Sequence, residues 1–340
     1  MLFARRLMSN LRLSIVLPTF NRRRRLERVL AGLDRQTVEL SQFETIVVDD
    51  GSTDDTADWL VHNSQRAYGL RHVRQTNSGP AKARNRGVSE ARGQLILFID
   101  DDVEPTPELI SQHLASHEEP DVVVLGPLAS LDHYAQPWVA WEQAKLEAQY
   151  ASMLRGDWEP TFRQFWTGNA SVAKHHIEAA GGFDPSFLRA EDVELGRRLH
   201  ERGLKFRFNP RARGLHHAER SLPAWEAMHR SYGALEVKIF GGADADELLQ
   251  TLAGNFSRIH PATRWLVTQC VGHDRRVATA AAALRSWLKL GAAAQKPILS
   301  EQVCGALANL NYWQASYSEL GRERTQRVFA LGDELRRRRA

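Results

Sequence analysis

The sequence predicts an α/β fold: a mainly parallel sheet flanked by helices, followed by a helical C-terminal extension. Short apolar runs alternate with helical segments between residues 13 and 130, the pattern of βαβ units. Those runs are almost continuously apolar, as strands are when helices cover both faces of their sheet. Beyond residue 222 only helical spacing recurs.

The elements follow in order. "LSIVLPT" (13–19) reads as a buried strand, and a cationic helix follows from about Arg22. "FETIVVDD" (43–50) is a second strand. In "GSTDDTADWL" after it, Thr53 suits an N-cap with acids in the first turn. "RHVRQ" is a short third strand, and "GPAKARNRGVSEARG" (79–93) a helix between glycines. "QLILFID" is a fourth strand, a helix begins near Thr106, and "DVVVLGPLAS" (121–130) is a fifth strand. Residues 137–155 are helical by spacing, "FWTGNASVAK" is a strand and "GGFDPSF" a turn. "AEDVELGRRLHERG" is a helix stopped by Gly203, and "LKFRFNP" a short strand. The change of pattern divides the chain into residues 1–220 and a helical region, 221–340.

With 340 residues, the chain has room for one large domain or one domain with a smaller addition. Lys+Arg is 45 against Asp+Glu 41, so the net charge of +4 gives no strong case for a polyanionic partner. Arginine runs at 22–25 and 336–339 concentrate the positive charge. Two cysteines, Cys270 and Cys304, make neither a disulfide framework nor a metal-site spacing. "MLFARRLMSNLR" is too short and charged for a signal peptide, and no apolar run reaches the roughly 18 residues of a span. A cytoplasmic protein is expected. "AALRSWLKLGAAAQK" suits three roles: packing on the preceding α/β domain, forming a dimer surface, or lying on the inner face of an anionic membrane.

The segment "LILFIDDDVEPTP" closes an apolar strand with Asp100, Asp101 and Asp102. An unpaired carboxylate in an apolar site costs on the order of tens of kcal/mol, so these acids face water or a cation. On an extended chain Asp100 and Asp102 share a side and Asp101 turns away. One or two carboxylates with substrate phosphates is how Mg²⁺ or Mn²⁺ is usually held; the plainer alternative is an acidic loop capping the next helix. "VVDDGSTDDT" sets Asp49 and Asp50 on the same rim, at the strand ends where such folds bind ligands. Turn chemistry accounts for Gly51 and Ser52 but not for two adjacent acids.

"LSIVLPTFNR", "IVVDDGSTDDT", "NSGPAKARNRGVSEARGQLILFIDDD", "GGFDPSF" and "AEDVELGRRL", in that order, resemble family 2 glycosyltransferases of the GT-A (Rossmann-like) fold over about residues 12–235. The resemblance implies metal-dependent transfer of a sugar from a nucleotide-diphosphate sugar to an acceptor hydroxyl, with inversion, in polysaccharide, glycolipid or glycoconjugate synthesis. UDP is favoured, with GDP and dTDP open. The acceptor is a carbohydrate or lipid-linked, and no nucleic acid is involved.

The same resemblance implies residue roles. Pro18, Thr19 and Asp50 line the nucleoside pocket, with Asp50 on the base and Asp49 beside it. Arg84 approaches the nucleotide and Asn85 braces its loop. Asp100 and Asp102 match the two acids of the DxD motif, Asp100 toward ribose and Asp102 on Mn²⁺ or Mg²⁺, with Asp101 between them beside the donor. Asp192 is the base, and Glu191 holds the acceptor or tunes it. In "ARGLHHAERS", His216 fits the metal better than His217. Gly168 and Asn169 either touch substrate or sit in an ordinary core strand. Trp138 and Trp166 either stack on sugar or belong to the core.

Two other functions compete. Nucleotidyl transfer calls for a Gly-rich phosphate loop after the first strand, and "LPTFNRRRR" has no glycine. A non-catalytic nucleotide- or carbohydrate-binding module predicts a broken acid set, yet Asp50, Asp100, Asp102 and Asp192 are all present. "HPATRWL" (260–266) lacks the glutamine of the processive "QxxRW" signature, which argues against processive synthesis.

Overall fold

The computed structural model describes residues 10–187, 189–240, 245–293 and 297–338. In chain order these form β1 (Leu13–Thr19), α1 (Arg23–Leu33), β2 (Phe43–Asp49), α2 (Thr56–Asn63), β3 (Gly69–Arg74), α3 (Pro80–Glu90), β4 (Leu95–Ile99) and β5 (Val103–Pro105). Next come α4 (Leu109–Ala115), β6 (Val122–Leu125), β7 (Leu128–Ala129), α5 (Pro137–Leu154), β8 (Asn169–Ala173), α6 (Lys174–Ala179), α7 (Glu191–Glu201), β9 (Lys205–Phe208) and β10 (Gly214–His216). The rest is helical: α8 (Leu222–Phe240), α9 (Ala245–Ser257), α10 (Pro261–Cys270), α11 (Asp274–Ala293) and α12 (Pro297–Arg337), the last broken at Gly321.

The chain divides into two compact units. One holds the residues up to His133 together with Gln143–Ala218; the other holds Tyr134–Glu142 and the residues from Glu219. The sequence division at 220 falls close to the second break. It leaves Tyr134–Glu142 with the sheet, whereas in the structure this segment goes with the helices.

The first unit is built on a seven-stranded sheet ordered β3-β2-β1-β4-β8-β6-β9. β1, β2, β3 and β4 run parallel, as do β6 and β9, and β8 is antiparallel to both of its neighbours. Alternate residues of the central strands feed two cores. Val16, Ile46, Val48, Ile96 and Phe98 pack with Ala83 and Val88 of α3 and with Leu195 and Leu199 of α7. Leu13, Ile15, Leu17, Val47, Leu97 and Ile99 pack with Leu26, Val29, Leu30 and Leu33 of α1. Burial on both faces is why these strands read as unbroken apolar runs.

Local departures have local causes. α2 begins at Thr56, not after Thr53, because the Thr53 N–H donates to Asn21 Oδ1 (2.7 Å) and Asp54 Oδ1 takes the Thr56 N–H (3.0 Å). The helix expected from Thr106 begins at Leu109, since the Thr106 N–H and hydroxyl both donate to Arg213 O (3.1 and 3.0 Å). "DVVVLGPLAS" is two strands broken at Gly126, where a Cβ would lie 2.2 Å from Ala212 O. β7 joins β5 and β10 in a small second sheet whose strands are too short to show a period.

In the second unit Trp225, Phe256 and Trp313 are fully buried, and Glu226 is buried under a bidentate Arg285 (2.7 Å twice). Trp138 packs against the Trp225 cluster and gives its N–H to Arg220 O (2.7 Å). In the first unit Trp166 donates to Gly126 O (2.9 Å) and packs on the core. Both tryptophans therefore take the core alternative. Cys270 and Cys304 are free and buried.

Candidate active site

The carboxylates gather where β1, β2 and β4 end. The three aspartates are not on an extended chain: Ile99 ends β4 and the Val103 N–H closes a turn on Asp100 O (3.1 Å). Two-residue alternation therefore does not govern them. Asp101 is 4% exposed, its Oδ2 taking the Thr19 hydroxyl (2.9 Å) and its Oδ1 the Arg22 guanidinium (2.8 Å). Burial pushes this carboxyl up to about 6 against the pull of Arg22. Asp101 and Thr19 thus brace β1 to the turn. Asp102 faces Arg22 (3.6 Å) and Arg25 (3.4 Å), while Asp100 turns to Arg84 (2.8 Å).

Arg84 is the hub of the site. The buried guanidinium donates to Asp100 Oδ1 (2.8 Å) and to Glu191 Oε1 (2.6 Å). Burial alone would pull its pKa down; Asp100, Glu191 and Asp192 more than offset this, so it stays charged. It rides on α3, whose start is pinned by Asp50. Asp50 Oδ1 accepts from Gln75 (2.8 Å) and the Ser78 N–H (2.9 Å), and Oδ2 from the Gly79 N–H (2.9 Å). Asp49 holds the neighbouring turn through the Ser52 N–H (2.8 Å). One residue beyond Arg84, Asn85 grips both the N–H (2.8 Å) and the C=O (2.7 Å) of Phe183. Gly182 makes that grip possible, since it has φ +74° and a Cβ there would meet Asn85 Oδ1 at 2.7 Å. In this way "ARNRG" and "GGFDPSF" are one structure, tied to α7 by Arg198, which donates to Gly182 O (2.7 Å).

α7 opens with Glu191, Asp192 and Glu194 at the end where the helix dipole favours negative charge. Ala190 before it is left-handed (φ 55°), a strained conformation for a residue with a side chain. Asp192 Oδ1 accepts the Val193 N–H (2.8 Å). Burial, then the negative charge of Glu191, push the Asp192 carboxyl up to about 7, and Arg84 restrains the rise. A carboxyl that titrates there is matched to proton transfer near neutral pH.

His216, on β10, meets the aspartate turn from the small sheet. Gln143 gives its amide N–H to Leu128 O in a short bond, so its Oε1 is the acceptor facing His216 Nδ1 (3.0 Å). His216 Nδ1 therefore carries the proton, and the lone pair of a neutral imidazole lies on Nε2, 4.0 Å from Asp102 Oδ1. That is the ligand form of histidine beside a carboxylate. His217 instead pairs with Glu104 (2.9 Å). Among the described residues no group of three or more His, Cys, Asp or Glu could cage an ion, so one bound at Asp102 and His216 would need water or phosphate to complete its shell.

Asn169 is fully buried and bonded to Pro127 O (3.0 Å), Ala212 O (2.7 Å) and His113 (2.9 Å), which makes it a brace and not a substrate contact. Gly168 lies against Asp100, with room for a Cβ only 3.2 Å from its Oδ2. Pro18 is half-buried opposite Val48 in the ladder. Sequence reasoning missed Arg22, Arg25 and Gln143. For the arginines a signal existed: cations at the N-terminal end of α1 oppose its dipole, so they imply acids nearby. For Gln143, inside an unremarkable helix, there was none.

Residues 14–176 match the family described as glycosyl transferase family 2. Validoxylamine A glucosyltransferase of Streptomyces hygroscopicus subsp. jinggangensis is 34% identical over 220 residues, 56% of this chain and 52% of that protein. Hyaluronan synthase of Pasteurella multocida is 30% identical over 228 residues, 57% of this chain and 23% of that protein. The chain thus spans about half the length, or less, of these curated relatives. Among solved structures, the mannosyltransferase PcManGT of Pyrobaculum calidifontis in complex with GDP-Man and Mn²⁺ superposes with a TM-score of 0.58 at 19% identity, covering 91% of this chain and 87% of that one. S. aureus TarS 1–349 in complex with UDP-GlcNAc gives 0.53 at 19%, covering 86% and 90%. At such identities the likeness is one of fold.

Proposed function

Starting from residues 14–176 as a family 2 glycosyltransferase domain of GT-A fold, we propose that this chain moves a sugar from a nucleotide-diphosphate sugar to an acceptor hydroxyl, with Asp192 as the base. The observation that carries the reading is the placing of Asp192 beside the buried Arg84–Asp100–Glu191 network in a chain whose residues 14–176 match the family.

Asp192 Oδ1 is occupied by the Val193 N–H, so Oδ2 takes the acceptor proton. The acceptor oxygen bonds to the anomeric carbon as the bond from that carbon to the diphosphate breaks. Attack from the face opposite the leaving group inverts the centre. Glu191 keeps Arg84 in place and, by its own charge, keeps Asp192 basic. Arg84, with one face on Asp100, offers positive charge to the departing diphosphate. Asp102 and His216 would hold Mn²⁺ or Mg²⁺, which when bound offsets charge on the same group. Asp50, which fixes the β3–α3 loop at the end of β2, takes the base on this reading. UDP is the favoured nucleotide, supported by the UDP-GlcNAc complex of TarS, while the GDP-Man complex of PcManGT keeps GDP in play.

The test is Asp192→Asn. Sugar transfer from a UDP- or GDP-sugar should fall by roughly 10²–10⁴-fold, the usual worth of a positioned base, while nucleotide affinity by calorimetry stays near wild type. Unchanged turnover would remove Asp192 from the chemistry.

A further inference from the structure

α11 has two apolar sides, and the second unit uses only one of them. Val277, Ala281, Leu284 and Leu288, at helical spacing, pack with Trp225, Met228 and Leu307. Ala283, Trp287 and Leu290, at i, i+4 and i+7, form another stripe, and this one is in water. Trp287 is 55% exposed and Leu290 66%. On the preceding α10, Trp265 is 66% exposed while Thr263, Val267 and Cys270 are buried. Trp265 and Trp287 are the tryptophans exposed most among the described residues.

The charge along these two helices is one-sided. Residues 258–290 carry Arg258, Arg264, Arg275, Arg276, Arg285 and Lys289 against a single acid, Asp274. Arg264 pairs with Asp333 and Arg285 with Glu226. Arg258, Arg275 and Lys289 have no acidic partner among the described residues. Arg276 lies at the N-terminal end of the same stripe, seven residues before Ala283.

We propose that α10 and α11 form a docking face for an anionic lipid surface, with Trp287, Leu290 and Trp265 entering the headgroup region and the cations resting on it. Indole rings half in water are suited to that interface, and each basic residue near an anionic surface adds attraction that salt removes. A protein partner would need acids to meet these cations, and a second copy of this face would bring its own cations against them. The contact is peripheral, since no described helix is long and apolar enough to cross a membrane.

The test is cosedimentation of the full chain with phosphatidylcholine vesicles, with and without phosphatidylglycerol, at low and high salt. Binding is expected to the anionic vesicles, with a blue shift of tryptophan emission, and to weaken with salt. Trp287→Ser with Leu290→Ser should weaken it on the order of tenfold, and Arg275→Gln with Arg276→Gln should reduce both affinity and salt dependence, each variant keeping the wild-type circular dichroism. Equal affinity for neutral and anionic vesicles, or no binding to either, overturns the proposal. So does a wild-type dimer that the Trp287/Leu290 variant dissociates in the absence of vesicle binding, which would give the face to a second copy. Asp192→Asn should bind vesicles as wild type does, so the outcome is independent of the transferase reading.

Discussion

Two carboxylate clusters share one rim of the sheet and handle their charge in opposite ways. The aspartate turn after β4 is met by cations from two helices: Arg22 and Arg25 from the start of α1, and Arg84 from α3. Of the acids at the start of α7, Glu194 pairs with Arg198, while Glu191 and Asp192 share Arg84, which binds Glu191 directly. Asp192 is left as the member without a cation of its own, and its carboxyl rises to about 7. Clustered acids are thus not one kind of site. Where each finds a guanidinium its charge is offset in place; where one goes short, its carboxyl is pushed up toward neutral pH.

That contrast can be broken most forcefully at its shared residue. Arg84→Met leaves Asp100 and Glu191 without their buried partner, which should cost about 3–5 kcal/mol, read by urea unfolding. It also removes the cation that restrains Asp192, so the acidic limb of the activity profile should move to higher pH. A variant as stable as wild type, with an unmoved limb, would show that the two clusters are not coupled.

The metal side of the comparison is sharpened through Gln143. Gln143→Leu removes the acceptor that holds the His216 tautomer. It should weaken Mn²⁺ binding in the presence of UDP by about 10–100-fold, measured by calorimetry, with UDP affinity in the absence of metal unchanged. Loss of metal-free UDP binding would instead mean that Gln143 supports the fold.

The same carboxyl should also be read in stability against pH. Asp192 titrates near 4 when unfolded and about 7 when folded, so its protonated form favours the folded state. This contribution is fully present below about pH 4 and disappears as pH rises through 7. Asp192→Asn, which is never charged, should therefore gain stability relative to wild type as pH is raised from 4 to 8. A constant difference between their thermal midpoints would mean that the folded carboxyl is not shifted.

Much of the site is legible in the chain alone. Asp50, Arg84, Asp100, Asp102 and the Glu191–Asp192 pair all sit at or near the ends of elements that hydrophobic spacing locates. Their partners are less visible. Nothing in "IVVDDGST" says that Asp50 will spend both oxygens on a loop 25–29 residues away. The motif around Asn169 allows a substrate contact, yet the residue is a buried brace, because burial depends on what crosses above it. Asp101, between two acids with expected roles, is the most enclosed of the three, since a turn replaces the extended chain.

Neighbouring residues suffice to specify the alternation of strands and helices, the apolar faces that close the two cores around the sheet, and the rim on which the acids stand. A period of two or 3.6 along the chain reads these properties directly. Long-range packing settles the rest: which arginine neutralises which acid, which histidine nitrogen keeps its lone pair, and which side of α11 stays in water. Charge, tautomer and exposure are set by groups brought from elsewhere in the chain, 107 residues away for Arg84 and Glu191 and 73 for Gln143 and His216, and no local pattern encodes them.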